Sequence, residues 1–422
     1  MNKYSVNILY KTYRRKSMSY KITEGVTWVG KIHPDFGQVF GKKLSTKIGT
    51  TYNSFLIKDE KNVLIDTVWS PLGKEFVSDL KKEIDLKEID YIVITHGELD
   101  HSGALEDLME EIPHTPIFCT GASICSLKGQ FHKDWNFIQV KTGDELIIGE
   151  RKLIFYESKM LHWPDSMFVY MTKDNILFST DVFGQNYSAH ESLLFDDCLD
   201  GEELYQRALK VYVNLFAPYN KIVNKKIEEL KNLKLDIKVI CPSHGVTWRS
   251  NPWYIIDKYA QWSNDYEENQ ITIVYETLRG STEKMAQYIE EGIKQVWSEI
   301  KVKLCNLAHM DNSDIIVEIF KSKAVLLGSP TMNNGIFPSI AGLIELIKGT
   351  KLKDKHYSAF GSYGWSGESV GQIIEDFKRY NFRVIDEGIK QLWAPDEDAK
   401  NRCIEFGKSF ANKIKDSDKK EI

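Results

Sequence analysis

Four side chains able to ligate a metal ion fall within one heptapeptide, Thr-His-Gly-Glu-Leu-Asp-His at residues 95–101. It follows the apolar run 91–94, so His96, Glu98, Asp100 and His101 lie at the end of a strand. A lone histidine is usually a satisfied core or surface residue. Two imidazoles and two carboxylates packed around one glycine are not, because grouped charges leave water only when something of opposite sign compensates them. His162 in Leu-His-Trp-Pro-Asp-Ser, Asp181 and His244 in Cys-Pro-Ser-His-Gly each fall where another strand gives way to a loop. Seven candidate ligands at strand ends predict a metal centre on one edge of a sandwich.

Composition removes several alternatives. The 422 residues carry 60 acidic against 55 basic side chains, a net charge of −5, which excludes a polybasic nucleic-acid binder. No apolar run is long enough to cross a bilayer and no secretory signal precedes the first strand, so neither a membrane nor a secreted protein is expected, and a cytoplasmic one is. Cys119, Cys125, Cys198, Cys241, Cys305 and Cys403 contain no Cys-x-x-Cys pair and read as reduced, mostly buried residues without a role. His33, His114, His132, His309 and His356 match no ligand motif and read as structural or exposed.

The chain changes character near residue 270. Before it, short strands and hairpins alternate with a few helices, with turns expected at Gly149-Glu150 and Asp174-Asn175. After it, strands at 271–275, 324–327 and 357–360 alternate with helices, the first helix carrying Met285, Ile289, Ile293 and Val296 on one face, the pattern of a doubly wound parallel sheet. The organisation expected is an N-terminal extension over 1–19, an α+β sandwich over 20–255, a packed connecting helix over 256–268, an α/β unit over 269–415 and a charged tail over 416–422. Met18 precedes the first strand-like stretch, so residues 1–17 read as an extension or an upstream start.

Three loops of the second unit lie where such a sheet binds its ligand. In the first, Thr277, Leu278, Arg279, Gly280, Ser281 and Thr282 offer hydroxyls, a close backbone and a helix start to a phosphate, although Ser281 could equally be a plain N-cap. The second holds Pro330, Thr331, Met332, Asn333, Asn334 and Gly335, which can hydrogen-bond the edge of a flat heteroaromatic ring. Trp365 in the third, within Ser362, Tyr363, Gly364, Trp365, Ser366 and Gly367, offers a stacking surface. No Gly-x-Gly-x-x-Gly follows a strand, which argues against a bound dinucleotide.

The order His96 to His101, His162, Asp181, His244 resembles the metallo-β-lactamase fold, whose hydrolytic members open with His-x-His-x-Asp-His. Glu98 replaces the second of those histidines, and the resulting pattern resembles flavodiiron proteins. The three loops are similar to the FMN site of flavodoxins, and together the two resemblances cover residues 20–412. They imply an αββα metallo-β-lactamase-like domain followed by a flavodoxin-like domain. They also imply two non-haem irons and FMN, with His96, Glu98 and His162 on one iron, Asp100, His101 and His244 on the other, and Asp181 bridging with a bound solvent species. The activity implied is reduction of O2 to water, of NO to N2O, or of both, as an oxidoreductase of the minimal two-domain class. Electrons would come from rubredoxin or a similar donor, and the assembly would be a head-to-tail homodimer or a dimer of dimers. Three carboxylates and four imidazoles suit ferrous ions, and the absence of a thiolate weakens the case for zinc.

Two departures bear on the choice between gases. Many relatives place a His after Gly-Gln following the bridging Asp, where this chain has Asn186, and often another before Gly-Thr-Thr-Tyr-Asn, where residues 34–48 have none. His190 and Tyr52 are candidates to take over part of that role. Two other readings are a zinc hydrolase fused to a flavodoxin and an electron carrier whose first domain is only a scaffold.

Overall fold

The structure, a computed structural model, describes residues 19–34, 38–39, 44–46, 48–188, 194–198 and 200–418, without the side chains of 38, 39, 198 and 418. The N-terminal extension with Met18, the last residues of the tail, His190 and the Cys198 side chain lie outside that description. The described residues divide into two compact units, the first drawn from 19–38, 46–211 and 221–260 and the second from 39–45, 212–220 and 261–418. Two short stretches that precede residue 261 therefore group with the second unit. The connecting helix expected over 256–268 runs Pro252–Trp262, with Ile255, Ile256, Tyr259 and Trp262 fully buried.

The first unit holds two large sheets and a two-stranded ribbon of Lys31–His33 and Thr50–Tyr52. One has seven strands in sequential order: β1 (Tyr20–Thr23), β2 (Val26–Trp28), β3 (Phe55–Ile57), β4 (Asn62–Ile65), β5 (Ile89–Val93), β6 (Ile117–Thr120) and β7 (Phe137–Val140). Its first four strands pair antiparallel and β4 to β7 parallel. The other contains β8 (Glu145–Ile147), β9 (Lys152–Glu157), β10 (Met167–Met171), β11 (Ile176–Phe178) and β12 (Val239–Cys241). Both expected hairpins are present: Gly149 has φ 131° between β8 and β9, and Asn175 has φ 59° between β10 and β11. The sheets meet through aromatic side chains, with Phe55 and Phe178 at 5.3 Å and Phe118 stacked on Phe155 at 6.3 Å. On the outer side of the first sheet, helices Gly73–Glu83 and Leu105–Glu111 bury Phe76, Val77, Leu80, Leu105 and Leu108. A helix-covered pair of sheets follows, with its metal candidates on the loops at one edge.

The second unit is a parallel sheet of β13 (Gln270–Tyr275), β14 (Lys301–Asn306), β15 (Ala324–Gly328), β16 (His356–Tyr363), β17 (Arg383–Val384) and β18 (Ile389–Leu392). Its order is β14-β13-β15-β16-β17, with β18 pairing the far end of β16, which is the doubly wound order 2-1-3-4-5. Met285, Ile289 and Ile293 are fully buried on helix Ser281–Val296, as the spacing predicts, and Val296 is half-buried beside them. This helix runs against helix Glu397–Asp418 at backbone contact. A Cβ at Gly292 would lie 2.0 Å from the Ile404 carbonyl oxygen, and one at Gly407 2.3 Å from that of Ile289. Gly292→Ala is expected to destabilise this unit by about 1–3 kcal/mol through overpacking, measured as a lower urea midpoint in the intact protein.

Candidate metal centre and flavin loops

All seven predicted ligands come together in the first unit. His96, His162 and Asp181 place one ligand atom each within 4.8 Å of one another, and Asp100, His101 and His244 do the same. Glu98 joins the first group, its Oε2 lying 3.3 Å from His96 Nε2 and 3.8 Å from His162 Nε2. Asp181 reaches both groups, Oδ2 at 3.4 Å from His162 Nε2 and Oδ1 at 3.1 Å from His101 Nε2 and 3.3 Å from His244 Nε2. A first-row ion with bonds of about 2.0–2.2 Å puts its ligand atoms about 3 to 4.4 Å apart, the separation found.

Distance alone would allow a plain hydrogen-bond cluster, and the angles argue otherwise. Asp100 Oδ1, His101 Nε2 and Asp181 Oδ2 are buried yet make no hydrogen bond, although oppositely charged groups lie 3.1–3.5 Å away. Buried polar atoms are nearly always paired. Buried atoms left unbonded among close partners of opposite charge, with one bond inside the cluster between His96 and Glu98, fit a pair of metal ions. The ligand set is oxygen and imidazole nitrogen, with no thiolate.

A polar shell fixes the loops that carry these ligands. Asp66, at φ 54° after β4, accepts from the Thr95 amide at 2.7 Å and the Thr95 hydroxyl at 2.6 Å, which sets the loop that begins at His96. The His244 loop is held by Asn53, whose Nδ2 donates to the carbonyls of Pro242 at 2.7 Å and Gly245 at 3.0 Å. Thr51 accepts from the Gly245 amide at 2.7 Å, and Gln185 Oε1 from the Val246 amide at 2.8 Å. The Phe183 amide, two residues past Asp181, donates to the Tyr259 hydroxyl at 3.1 Å. Asn186 accepts from the Thr50 hydroxyl at 3.1 Å, so it braces the Thr50–Tyr52 strand.

The electrostatics follow from burial against pairing. Burial pulls the His96 imidazole down, but bonds to Asp165 and Glu98 outweigh it and raise the pKa to about 9. Burial is likewise overcome at His244 by Asp100 and Asp181, to about 10, and His101 is raised well above the ordinary value by the same two carboxylates. Burial raises Asp100 and Asp181, but the histidines prevail and hold Asp100 at about 2 and Asp181 well below the carboxylate range. Burial and then Asp100 push the Tyr52 phenol far above 10, so it keeps its proton; its ring stands edge-on to His244 at 5.8 Å. His33 stacks on Trp69 at 5.7 Å, while His114, His132 and His309 are exposed.

In the second unit the three predicted loops follow the carboxyl ends of β13, β15 and β16, at the point where the strand order reverses. The N-cap of helix Ser281–Val296 is Gly280 at φ 83°, and no side chain caps it, so Ser281 is the first helical residue and not the cap. The first amides are left for an anion. The Gly280 amide donates to the Thr277 hydroxyl at 3.0 Å, and the Thr282 and Ser362 hydroxyls are 2.9 Å apart. Asn333 and Asn334, at φ 49° and 59°, form a two-residue turn closed by paired bonds between Met332 and Gly335. Asn334 Nδ2 donates to Ser366 and Glu368 at 3.1 Å, tying the second loop to the third. Leu278, Met332 and Trp365 are exposed apolar side chains on these loops, Trp365 at 80%. An anion-ready helix start beside exposed aromatic surface fits a phosphate-bearing flat ring.

Several contributors carried no role in the sequence reading. Asp165 lies 2.8 Å from His96 Nδ1 within the same Leu-His-Trp-Pro-Asp-Ser segment as His162, and Asp66 looked only like a polar strand end. Trp393, 65% exposed after β18, sits beside the third loop, where a Cβ on Gly364 would meet its ring at 3.0 Å. Its one sequence signal is a tryptophan that no core helix or strand absorbs.

Residues 50–245 match the family described as ODP family β-lactamase, and residues 273–407 match flavodoxin. The anaerobic nitric oxide reductase flavorubredoxin of Klebsiella pneumoniae is 45% identical over 396 residues, 93% of this chain and 82% of that one. Among solved structures, rubredoxin oxygen:oxidoreductase from Desulfovibrio gigas superposes with a TM-score of 0.89 at 35% identity, over 94% of this chain and 99% of that one. The flavodiiron protein from Giardia intestinalis gives 0.89 at 28% identity, over 95% and 97% of the two chains.

The charged histidines make the stability of the metal-free protein depend on pH and couple metal uptake to proton release. Without metal, His96 and His244 have pKa values raised above the unfolded value near 6.5. Their stabilisation is complete below that pH and is lost as pH rises through about 9 to 10. Thermal unfolding of the metal-free protein should therefore shift to lower temperature between pH 7 and 10. Metal must displace the protons of His96, His101 and His244, so ferrous ion added anaerobically at pH 7 in weak buffer should release about three protons per chain, read with an indicator dye.

Proposed function

The chain belongs to the flavodiiron protein family, and on that premise we propose that it reduces O2 to water, NO to N2O, or both. The carrying observation is the pair of ligand groups that share Asp181 and leave buried oxygen and nitrogen atoms unbonded. His96, Glu98 and His162 would hold one iron, Asp100, His101 and His244 the second, with Asp181 between them. Iron and FMN, when bound, would supply the redox chemistry that passes electrons from the donor to a diatomic substrate.

The protein's own groups do the rest. Three carboxylates against four imidazoles keep the ligand set anionic, which favours retention of divalent and higher charge in a buried place. Asp66, Asn53, Thr51 and Gln185 fix the ligand loops, so the site is formed before substrate arrives. Tyr52 keeps a phenolic proton on the Asp100–His244 side. The FMN would sit among residues 277–282, 330–335 and 362–367, its phosphate at the uncapped helix start and its ring against Trp365. Trp393 adds a second aromatic surface there.

We take the electron donor to be rubredoxin or a protein like it, and the assembly a head-to-tail homodimer or dimer of dimers, which sizing in solution tests. No helix among the described residues is long and apolar enough to cross a membrane.

The test is anaerobic NO turnover beside O2 consumption by protein of known iron, zinc and FMN content, reduced through a rubredoxin. Two irons and one FMN per chain with turnover of either gas is the expected result. Zinc with turnover of neither would replace this reading with hydrolysis. Asp181→Ala should lose at least the ~100-fold that removal of an outer-shell partner can cost, with FMN content unchanged. Glu98→His should lose iron or turnover.

A further inference from the structure

An imidazole that ligates through one ring nitrogen is oriented, and its donor strength set, by what the other nitrogen meets. The two sides of this site differ in that respect. His244 Nδ1 lies 2.6 Å from the backbone carbonyl of Thr51, a neutral group. His96 Nδ1 lies 2.8 Å from Asp165 Oδ1, with both side chains fully buried. Asp66 stands behind His101, but at 3.9 Å from Nδ1 it is too far to bond, and Thr95 already engages both its oxygens.

Asp165 is itself held for this contact. Its Oδ2 accepts from the Gly97 amide at 3.2 Å, and its backbone carbonyl from the Thr120 hydroxyl at 3.0 Å. A Cβ at position 97 would lie 2.6 Å from Oδ2, so the glycine between two ligands lets the carboxylate approach. Among the described residues, no carboxylate lies within hydrogen-bond distance of the outer nitrogen of His101 or His244, Asp66 being the nearest to His101 at 3.9 Å.

We propose that Asp165 is a positioning residue that orients His96 and lends it negative charge, making the two metal positions unequal. The ion held by His96, Glu98 and His162 is bound more tightly than the ion held by Asp100, His101 and His244. This rests on the assignment of those residues to two irons, and wild-type protein with fewer than two irons per chain would sink that assignment first.

Asp165→Asn keeps the size of the side chain and removes its charge. Competition of the loaded protein with a graded chelator should resolve a tight and a weak iron in the wild type. In the variant the tight step should weaken about 10- to 100-fold, while the weak step and the FMN content stay put. Redox titration should show one iron midpoint moved to higher potential, because lost negative charge favours the reduced ion, and an unmoved flavin. Gly97→Ala displaces the carboxylate without removing it and should shift the same step in the same direction, which keeps the test open if Asp165→Asn does not fold. Equal weakening of both irons, weakening of the weak step alone, or no change in either variant would overturn the proposal.

Discussion

Desolvated charge governs the first unit. Seven ionisable side chains share one buried edge, and four of their polar atoms make no bond to protein although partners of opposite charge stand close. Such an arrangement survives only if something else neutralises it, since an unpaired buried charge costs several kcal/mol and more. In the absence of metal the protons on His96, His101 and His244 do so. Two metal ions do it better, because each meets several ligands at once. The seven-stranded sheet, the facing five-stranded sheet and the helix that ends at Trp262 can all be understood as what holds those seven groups at fixed separations.

The holding is done by uncharged or already satisfied groups. Asn53 is one example: its side chain accepts from Trp28 Nε1 at 2.9 Å and donates twice into the His244 loop. Gln185 is another, accepting from Val246 while donating to the Phe183 carbonyl at 2.9 Å. These amides add no net charge, so the loops are fixed without altering the balance between carboxylates and metal. Asp165 stands apart as a fully buried carboxylate that touches a ligand from behind.

What the sequence made legible follows from how local each signal is. Four candidate ligands fall within the six residues from His96 to His101, and the other three end strands whose apolar runs and turns are readable one segment at a time. The doubly wound order follows from alternation of strand and helix, and helix 281–296 from its buried face. Asp165 is a different case, because its meaning depends on Gly97 across from it and on no spacing along the chain. Trp393 becomes part of the third loop's surroundings only because β18 takes the far half of β16 while β17 takes the near half. The grouping of residues 39–45 and 212–220 with the second unit leaves no local mark. A plain cap at Ser281 is the alternative the loop's sequence leaves open, and the left-handed backbone at Gly280 makes Gly280 the N-cap and Ser281 the first helical residue.

That uncapped start reaches beyond catalysis. A helix whose first amides are left open, next to a turn that holds two asparagines in left-handed conformation, forgoes stabilisation that an ordinary cap and turn would give. A bound phosphate restores it, and ligand that binds only the folded form raises its population by mass action. Flavin bound there would thus act on stability as well as on turnover, and chains without it would spend more time open to proteases.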